Sequence, residues 1–195
     1  MKKLFGFYGK TVISSYGFLL PHKGIKELIH AFHILQEADP DLHLLLVNAL
    51  YPNPVSDLVK AECDRVIEEL NLTSKITMIN DFLEDDEALI LLECSDMIVF
   101  PYQNTQESSS GAVRFGLSLC KPVICTPLDI FNDVAEIVHF LPGTTPEKIA
   151  IGIGSLLYSD RLNKKIETQK KWIQFTRWEY TAQKLGNIIR FLFTT

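Results

Sequence analysis

Two adjoining segments decide how this chain reads: Asp96-Met97-Ile98-Val99-Phe100-Pro101-Tyr102 and Glu107-Ser108-Ser109-Ser110-Gly111-Ala112-Val113-Arg114. The first is a short apolar run stopped by proline, the pattern of a buried strand running into a loop. The second leads into a short helical pattern over 112–119, closed by Cys120-Lys121-Pro122. Strand, polar loop and serine-capped helix together make a place to hold an anion. Serine hydroxyls satisfy some of the free amides at a helix start, and the N–H groups of Ser110, Gly111 and Ala112 are left to face a ligand. The helix dipole adds roughly half a positive charge there. Gly111 carries no side chain that would hold a phosphate off the backbone. Serine runs are also ordinary helix caps, so the choice falls to the rest of the chain.

Outward from that centre, apolar β-branched runs alternate with helical spacing. Strands are predicted over 11–16, 42–47, 75–79, 96–102, 122–125 and 137–140. Between them, helical periodicity runs over 25–35, 55–70, 87–92 and 112–119, with Leu58, Cys63, Val66, Ile67 and Leu70 as the stripe of the second. Residues 127–134 read as an irregular turn or short helix. From Pro146 the chain is helical to its end, with breaks near Ser159-Asp160 and Thr176-Arg177. About six strands joined by helices demand an α/β fold: a parallel sheet with right-handed crossovers and helices on both faces. In such sheets ligands sit beyond the carboxyl ends of the strands. The loops at 17–24, 48–54, 80–86 and 101–111 are therefore expected at one edge, and the serine loop is among them.

Composition narrows the class. The 195 residues are 47% hydrophobic, enough for one substantial core with a helical appendage. A net charge of −5 gives no broad electrostatic reason to expect nucleic acid or an anionic membrane. The four cysteines, Cys63, Cys94, Cys120 and Cys125, lack paired spacing and lie in apolar or helical contexts, which points to reduced thiols and the cytoplasm. Met1-Lys2-Lys3 begins like a signal peptide, but the apolar stretch behind it is too short. No run of about eighteen apolar residues suggests a membrane span. Residues 1–10 read as a tail or linker stub, 11–160 as the sheet domain, and 161–195 as helices packing on that domain.

The residues able to do chemistry are few. Lys23, in Pro21-His22-Lys23-Gly24, opens the first helix, where a cation is unfavourable unless an anion offsets it. It reads either as a phosphate partner for the serine loop or as a solvated lysine beside a glycine turn. Glu107 repels phosphate and makes sense beside the hydroxyls of a neutral group attached to one, such as a sugar; it also reads as an acid favouring a helix start. Arg114 can reach an anion or pair with an acid. Glu84-Asp85-Asp86-Glu87 imitates a metal cluster but is well explained by helix capping, and no metal site is expected. Of the histidines, His30/His33 alone come near a ligand spacing, and they have no metal partner in view. No nucleophile–base pair or nucleophile elbow is present.

These residues resemble a known family. Tyr16-Gly17-Phe18 through Lys23-Gly24-Ile25, the run from Asp96 to Tyr102, Glu107 to Val113, and Lys121-Pro122-Val123-Ile124 resemble, in order and spacing, the C-terminal half of GT-B glycosyltransferases of family 4. The likeness covers roughly residues 11–160. It implies a Rossmann-like three-layer sandwich that binds a nucleoside diphosphate sugar as donor, with no other cofactor and no bound metal, in a transferase that retains anomeric configuration. Carried over residue by residue, Lys23 would hold the diphosphate and Glu107 would face the donor sugar, the two residues acting at the reacting group. Ser109, Ser110, Gly111 and Ala112 would lie over the diphosphate, and Gly17 and Phe18 beside it. The base is expected near 78–82, with Asn80 among its neighbours.

Two positions depart from the family. Its Gly-Arg is here Gly17-Phe18, which removes a phosphate cation. Its second glutamate, eight residues after Glu107, is here Phe115, which cannot accept ribose hydroxyls. The resemblance also covers only half of a GT-B enzyme. An N-terminal acceptor domain is expected in the same or another chain, with any peripheral membrane contact made through the full enzyme, and this half alone is expected to be inactive. The competing expectation is a degenerate binding or scaffolding module that keeps the fold and has lost the nucleotide.

Overall fold

The computed structural model describes residues 1–193. Six strands form one sheet: β1 (Thr11–Phe18), β2 (Leu42–Ala49), β3 (Ile76–Ile79), β4 (Met97–Phe100), β5 (Val123–Cys125) and β6 (His139–Phe140). Their order is β3-β2-β1-β4-β5-β6, and every pair is parallel. The helices are α1 (Ile25–Ala38), α2 (Pro54–Glu69), α3 (Asp85–Leu92), α4 (Gly111–Ser118), α5 (Pro146–Leu157), α6 (Ile166–Thr176) and α7 (Trp178–Phe193). The expected α/β sandwich is the observed fold.

Strand β2 shows why the sheet is covered on both faces. Leu44 and Leu46 pack with Leu28, Ile29 and Phe32 of α1, Val66 of α2 and Ile153 of α5. Leu45 and Val47 point the other way and pack with Val12 of β1 and Leu92 of α3. This alternation is the two-residue period of a strand buried from both sides. A separate cluster joins Ile98 and Phe100 of β4 to Val113 and Leu117 of α4.

The chain winds from β1 out to β3, then crosses back to place β4 on the other side of β1. That reversal is the switch point of an open parallel sheet, where a crevice opens beyond the strand ends. The register sharpens it. β1 pairs with β2 over all eight residues, from Thr11↔Leu42 to Phe18↔Ala49, whereas it pairs with β4 only at Ile13↔Met97 and Ser14↔Ile98. Beyond Ser14 the two strands part, and the start of α4 stands in the gap.

Local differences from the sequence reading have physical causes. β1 runs through Gly17 and Phe18, because β2 keeps supplying partners as far as Ala49. Leu58 does not belong to the α2 stripe and is 70% exposed. The buried residue of that turn is Ser56, whose hydroxyl donates to the Leu19 carbonyl at 2.6 Å and accepts from the Tyr51 amide at 3.0 Å. Residues 1–10 fold into turns against the sheet edge, with Phe7 buried beside Val12 and Leu45, and Lys2 paired to Asp96. Helix α6 docks on α4 through Gln169, which donates to the Leu117 carbonyl at 2.7 Å. None of the residues of α7 is buried. No helix among the described residues is long and apolar enough to cross a membrane. The four cysteines are free, and burial pushes the Cys63 thiol up to about 12.

His43 of β2 is buried and neutral. Its Nε2 lies 2.9 Å from the Thr77 hydroxyl and its Nδ1 3.3 Å from the Lys10 ammonium. Lysine can only donate, so Nδ1 accepts and Nε2–H donates. Burial first, then Lys10 and Lys75, lowers its pKa to about 4. The unfolded chain takes up this proton near pH 6.5, and the folded chain refuses it until about pH 4. The contribution is therefore present above pH 6.5 and is lost as pH falls, by about 3 kcal/mol in full. Denaturant unfolding between pH 7 and 5 is expected to show a steeper loss of stability for the wild type than for His43→Gln. Equal slopes would contradict the assignment.

Candidate functional site

The loop after β1 is pinned before it reaches the crevice. The Leu19 amide donates to the Ala49 carbonyl at 2.8 Å, and Pro21 starts a single 3-10 turn ending at Lys23. Gly24 follows in the left-handed region at φ +70°, and a Cβ on it would stand 2.0 Å from the Pro101 carbonyl oxygen. The loop after β4 is bound to the same place. The Gln103 amide donates to the His22 carbonyl at 2.8 Å, and the Gln103 side chain donates to the carbonyls of Pro101 at 2.9 Å and Thr144 at 3.1 Å. The two loops behave as one unit for this reason.

That docking brings residues 84 positions apart into contact. The Lys23 ammonium lies 3.0 Å from a Glu107 carboxylate oxygen and 4.0 Å from the centre of the Tyr102 ring. The Lys23 side chain is only 13% exposed, that of Glu107 45%. The other Glu107 oxygen is 3.3 Å from His22 Nε2, at an angle that makes no hydrogen bond. Burial, and then the Lys23 charge, lowers the His22 pKa against the opposing pull of Glu107, so the imidazole is neutral at pH 7.

Helix α4 completes the crevice. Ser110 is its N-cap: the hydroxyl accepts from the Val113 amide at 3.3 Å and lies 2.9 Å from the Tyr102 hydroxyl. Capping takes the third amide of the helix, and the first two, on Gly111 and Ala112, have no carbonyl within the helix to meet. Gly17, at φ +124°, lets this helix start approach the end of β1, since a Cβ there would lie 3.2 Å from the Ala112 Cβ. Arg114 turns away, donating to the Ser110 carbonyl and pairing with Asp133.

Together these elements wall a cavity of about 460 Å³. Lys23, Glu107, Ser109, Gly111 and Ala112 make one polar end. Gly17, Phe18 and Phe115 lie along the wall, with Tyr16 and Phe82. Phe115 stacks on Tyr16, with ring centres 4.4 Å apart and planes 16° from parallel. Phe18 meets Tyr51 edge-on at 5.1 Å and lies 6.2 Å from Phe82.

Nine of the ten residues singled out from sequence line this cavity, and Asn80 does not. Its side chain donates to the Asn48 carbonyl at 2.8 Å and ties the ends of β2 and β3 together. Sequence reasoning missed Tyr102, whose hydroxyl and ring organise both Ser110 and Lys23, and Tyr16. An aromatic residue just past a strand end was the available signal for Tyr102. The acids at 84–87 cap α3: the Glu84 side chain and amide exchange hydrogen bonds with Glu87. Among the described residues, no three histidine, cysteine or acidic side chains gather as metal ligands.

The family model described as "Glycosyl transferases group 1" matches residues 2–177. The chain belongs to the group 1 glycosyl transferases. No curated protein sequence matches it, but solved structures of this architecture do. The Anabaena protein HepE, in complex with UDP and glucose, superimposes with a TM-score of 0.79 at 15% identity, over 96% of this chain and 50% of its own. A sucrose-phosphate synthase from Thermosynechococcus elongatus gives 0.81 at 16% identity, over 99% of this chain and 48% of its own. The C-terminal domain of a group 1 family glycosyl transferase from Francisella tularensis gives 0.69 at 18% identity, over 84% of each chain. The chain thus spans about half the length of the two larger proteins. As a group 1 glycosyl transferase domain it has the sheet, the switch point and the two docked loops of one half of the GT-B fold.

The loop docking is testable without any ligand. Gly24→Ala adds left-handed strain and a clash with a carbonyl that cannot yield cheaply, and is expected to cost about 2–4 kcal/mol in denaturant unfolding. Gly111→Ala, where a Cβ meets nothing within 4 Å, serves as the control and is expected to leave stability nearly unchanged. A loss below 1 kcal/mol for Gly24→Ala would contradict the docking geometry.

Proposed function

We propose that this chain is the donor-binding half of a retaining glycosyltransferase of family 4, taking a sugar from a nucleoside diphosphate. Residues 11–160 form the donor-binding unit and the helices over 161–193 close it, residues 194–195 lying outside the described residues. The observation that carries this reading is the convergence of the Lys23 ammonium with the two uncapped amides of α4 at a cavity large enough for a nucleotide. The UDP and glucose held by the Anabaena neighbour add support.

In this reading the donor diphosphate lies across Gly111 and Ala112. When the bond from the sugar's anomeric carbon to the diphosphate oxygen breaks, negative charge grows on that oxygen, and Lys23 and the amides are already aimed at it. Glu107 accepts hydrogen bonds from the sugar hydroxyls. Its present bond to Lys23 is no obstacle. A half-exposed ion pair is worth about 1 kcal/mol or less, whereas each hydrogen bond to an ionised phosphate adds about 1.5–3 kcal/mol. The acceptor belongs to an N-terminal half, in the same or another chain, and this half alone binds donor without transferring sugar. Four free thiols fit a cytoplasmic setting. A non-catalytic scaffolding module is the second reading, favoured by the phenyl rings of Phe18 and Phe115 in the cavity wall.

A thermal-shift panel of UDP, GDP, ADP and their sugars separates the two. One nucleotide at a hundredfold excess over its Kd stabilises by about 2.7 kcal/mol, which raises Tm by about 5–10 °C for a chain of this size. Lys23→Ala is expected to weaken that nucleotide by about tenfold or more. No shift with any nucleotide at millimolar concentration would favour the scaffold.

A further inference from the structure

We propose that His22 is a positioning residue for Glu107: when the donor diphosphate takes Lys23, His22 gains a proton and holds the carboxylate that Lys23 has released. The inference rests on the diphosphate reading above and adds a proton to the binding reaction. It starts from a buried atom without a partner. His22 Nε2 makes no hydrogen bond in the free protein, although one Glu107 oxygen lies 3.3 Å away. The other oxygen of that carboxylate is the one Lys23 holds, at 3.0 Å. Glu107 thus stands between an ammonium and an imidazole, and in the free protein the ammonium has it.

The turn that carries the imidazole is tied down, since the His22 carbonyl accepts from the Gln103 amide at 2.8 Å. The charged groups acting on the ring are Lys23, on its own turn, and Glu107, on the loop after β4. The titratable group beside them is the Tyr102 phenol, whose ring meets the imidazole edge-on at 6.3 Å. Burial and then the Lys23 charge keep the imidazole neutral against the pull of Glu107. A diphosphate reverses that balance. It offsets the Lys23 charge and draws the ammonium away, so the carboxylate loses its cation as the imidazole loses its repulsion. An imidazolium carries N–H on both nitrogens, and Nε2 becomes a donor whichever tautomer preceded it. The oxygen facing His22 is then held by a charge-assisted bond. The oxygen that Lys23 held is free for a sugar hydroxyl. Because the bound state takes up the proton more readily than the free state, the donor binds more tightly as pH falls through neutrality.

Calorimetric titration of the full chain with UDP-glucose, GDP-glucose and ADP-glucose, in buffers of different ionisation enthalpy, counts the protons taken up. A sugar-linked diphosphate has no titrating proton of its own near pH 7, so any uptake belongs to the protein. The compound that binds is expected to bring a measurable fraction of one proton at pH 7. It is also expected to bind about tenfold more tightly at pH 6 than at pH 8. His22→Gln, which keeps a neutral donor, is expected to bind the same compound with no uptake and a flat pH profile. Binding without uptake in the wild type, or uptake that persists in His22→Gln, overturns the inference and leaves the diphosphate reading standing. Failure of all three compounds to bind overturns both. A second measurement needs no ligand. Lys23→Ala is expected to raise the His22 pKa read by imidazole NMR titration of the free chain, as the carboxylate turns to the ring; an unmoved His22 there overturns the handover by itself.

Discussion

The site depends on one close approach: the Gly24 backbone lies so near the Pro101 carbonyl that no side chain fits between them. Because of it, the loop after β1 and the loop after β4 share a hydrogen bond from Gln103 to His22 and cannot move apart without losing it. Lys23 and Glu107 come from separate strands of the sheet, yet their charged groups meet at 3.0 Å. Tyr102, immediately after Pro101, then lies under the ammonium and against the cap of α4. A single contact thus fixes the cation, the carboxylate and the helix start relative to one another.

The sheet supplies the opening into which this unit faces. β1 and β4 pair over only two residues before they diverge, and α4 starts in the gap, admitted by Gly17. The polar end so formed has one ammonium and two uncapped amides. The remaining wall carries aromatic rings, from Phe18 and Phe82 across to the Tyr16–Phe115 stack, with Val47, Ala49, Leu83 and Asp81 between them. A ligand that fits both halves is charged at one end and flat or apolar at the other. The nucleotide proposed as the ligand has this shape.

Much of this was legible in the sequence, for a definite reason. Parallel strands buried on both faces must be continuous apolar runs, and 42–47 and 97–100 are such runs, so the α/β order could be read directly. Gly17, Lys23 and the serine loop were legible because glycine turns and helix starts leave local marks. What depends on tertiary contact was not. Leu58 looks like core until Ser56 is seen taking the buried position to bond Leu19. Asn80 was placed in the site by its position after a strand, but its amide is spent on Asn48. The Tyr16–Phe115 stack joins residues 99 positions apart, and no periodicity announces it. The likeness to the group 1 family drew residues of one cavity together better than any motif alone, because order and spacing across many segments carry more information than one capped helix.

The central claim is that the backbone amides at the start of α4, together with Lys23, grip a diphosphate. Amide NMR of the full chain during titration with UDP measures this most directly. The account predicts that the Gly111 and Ala112 amide protons move downfield together and saturate with the Lys23 side-chain signals, while amides at the opposite edge of the sheet, such as Asp96, stay in place. Binding that shifts other amides and leaves Gly111 and Ala112 unmoved would contradict it.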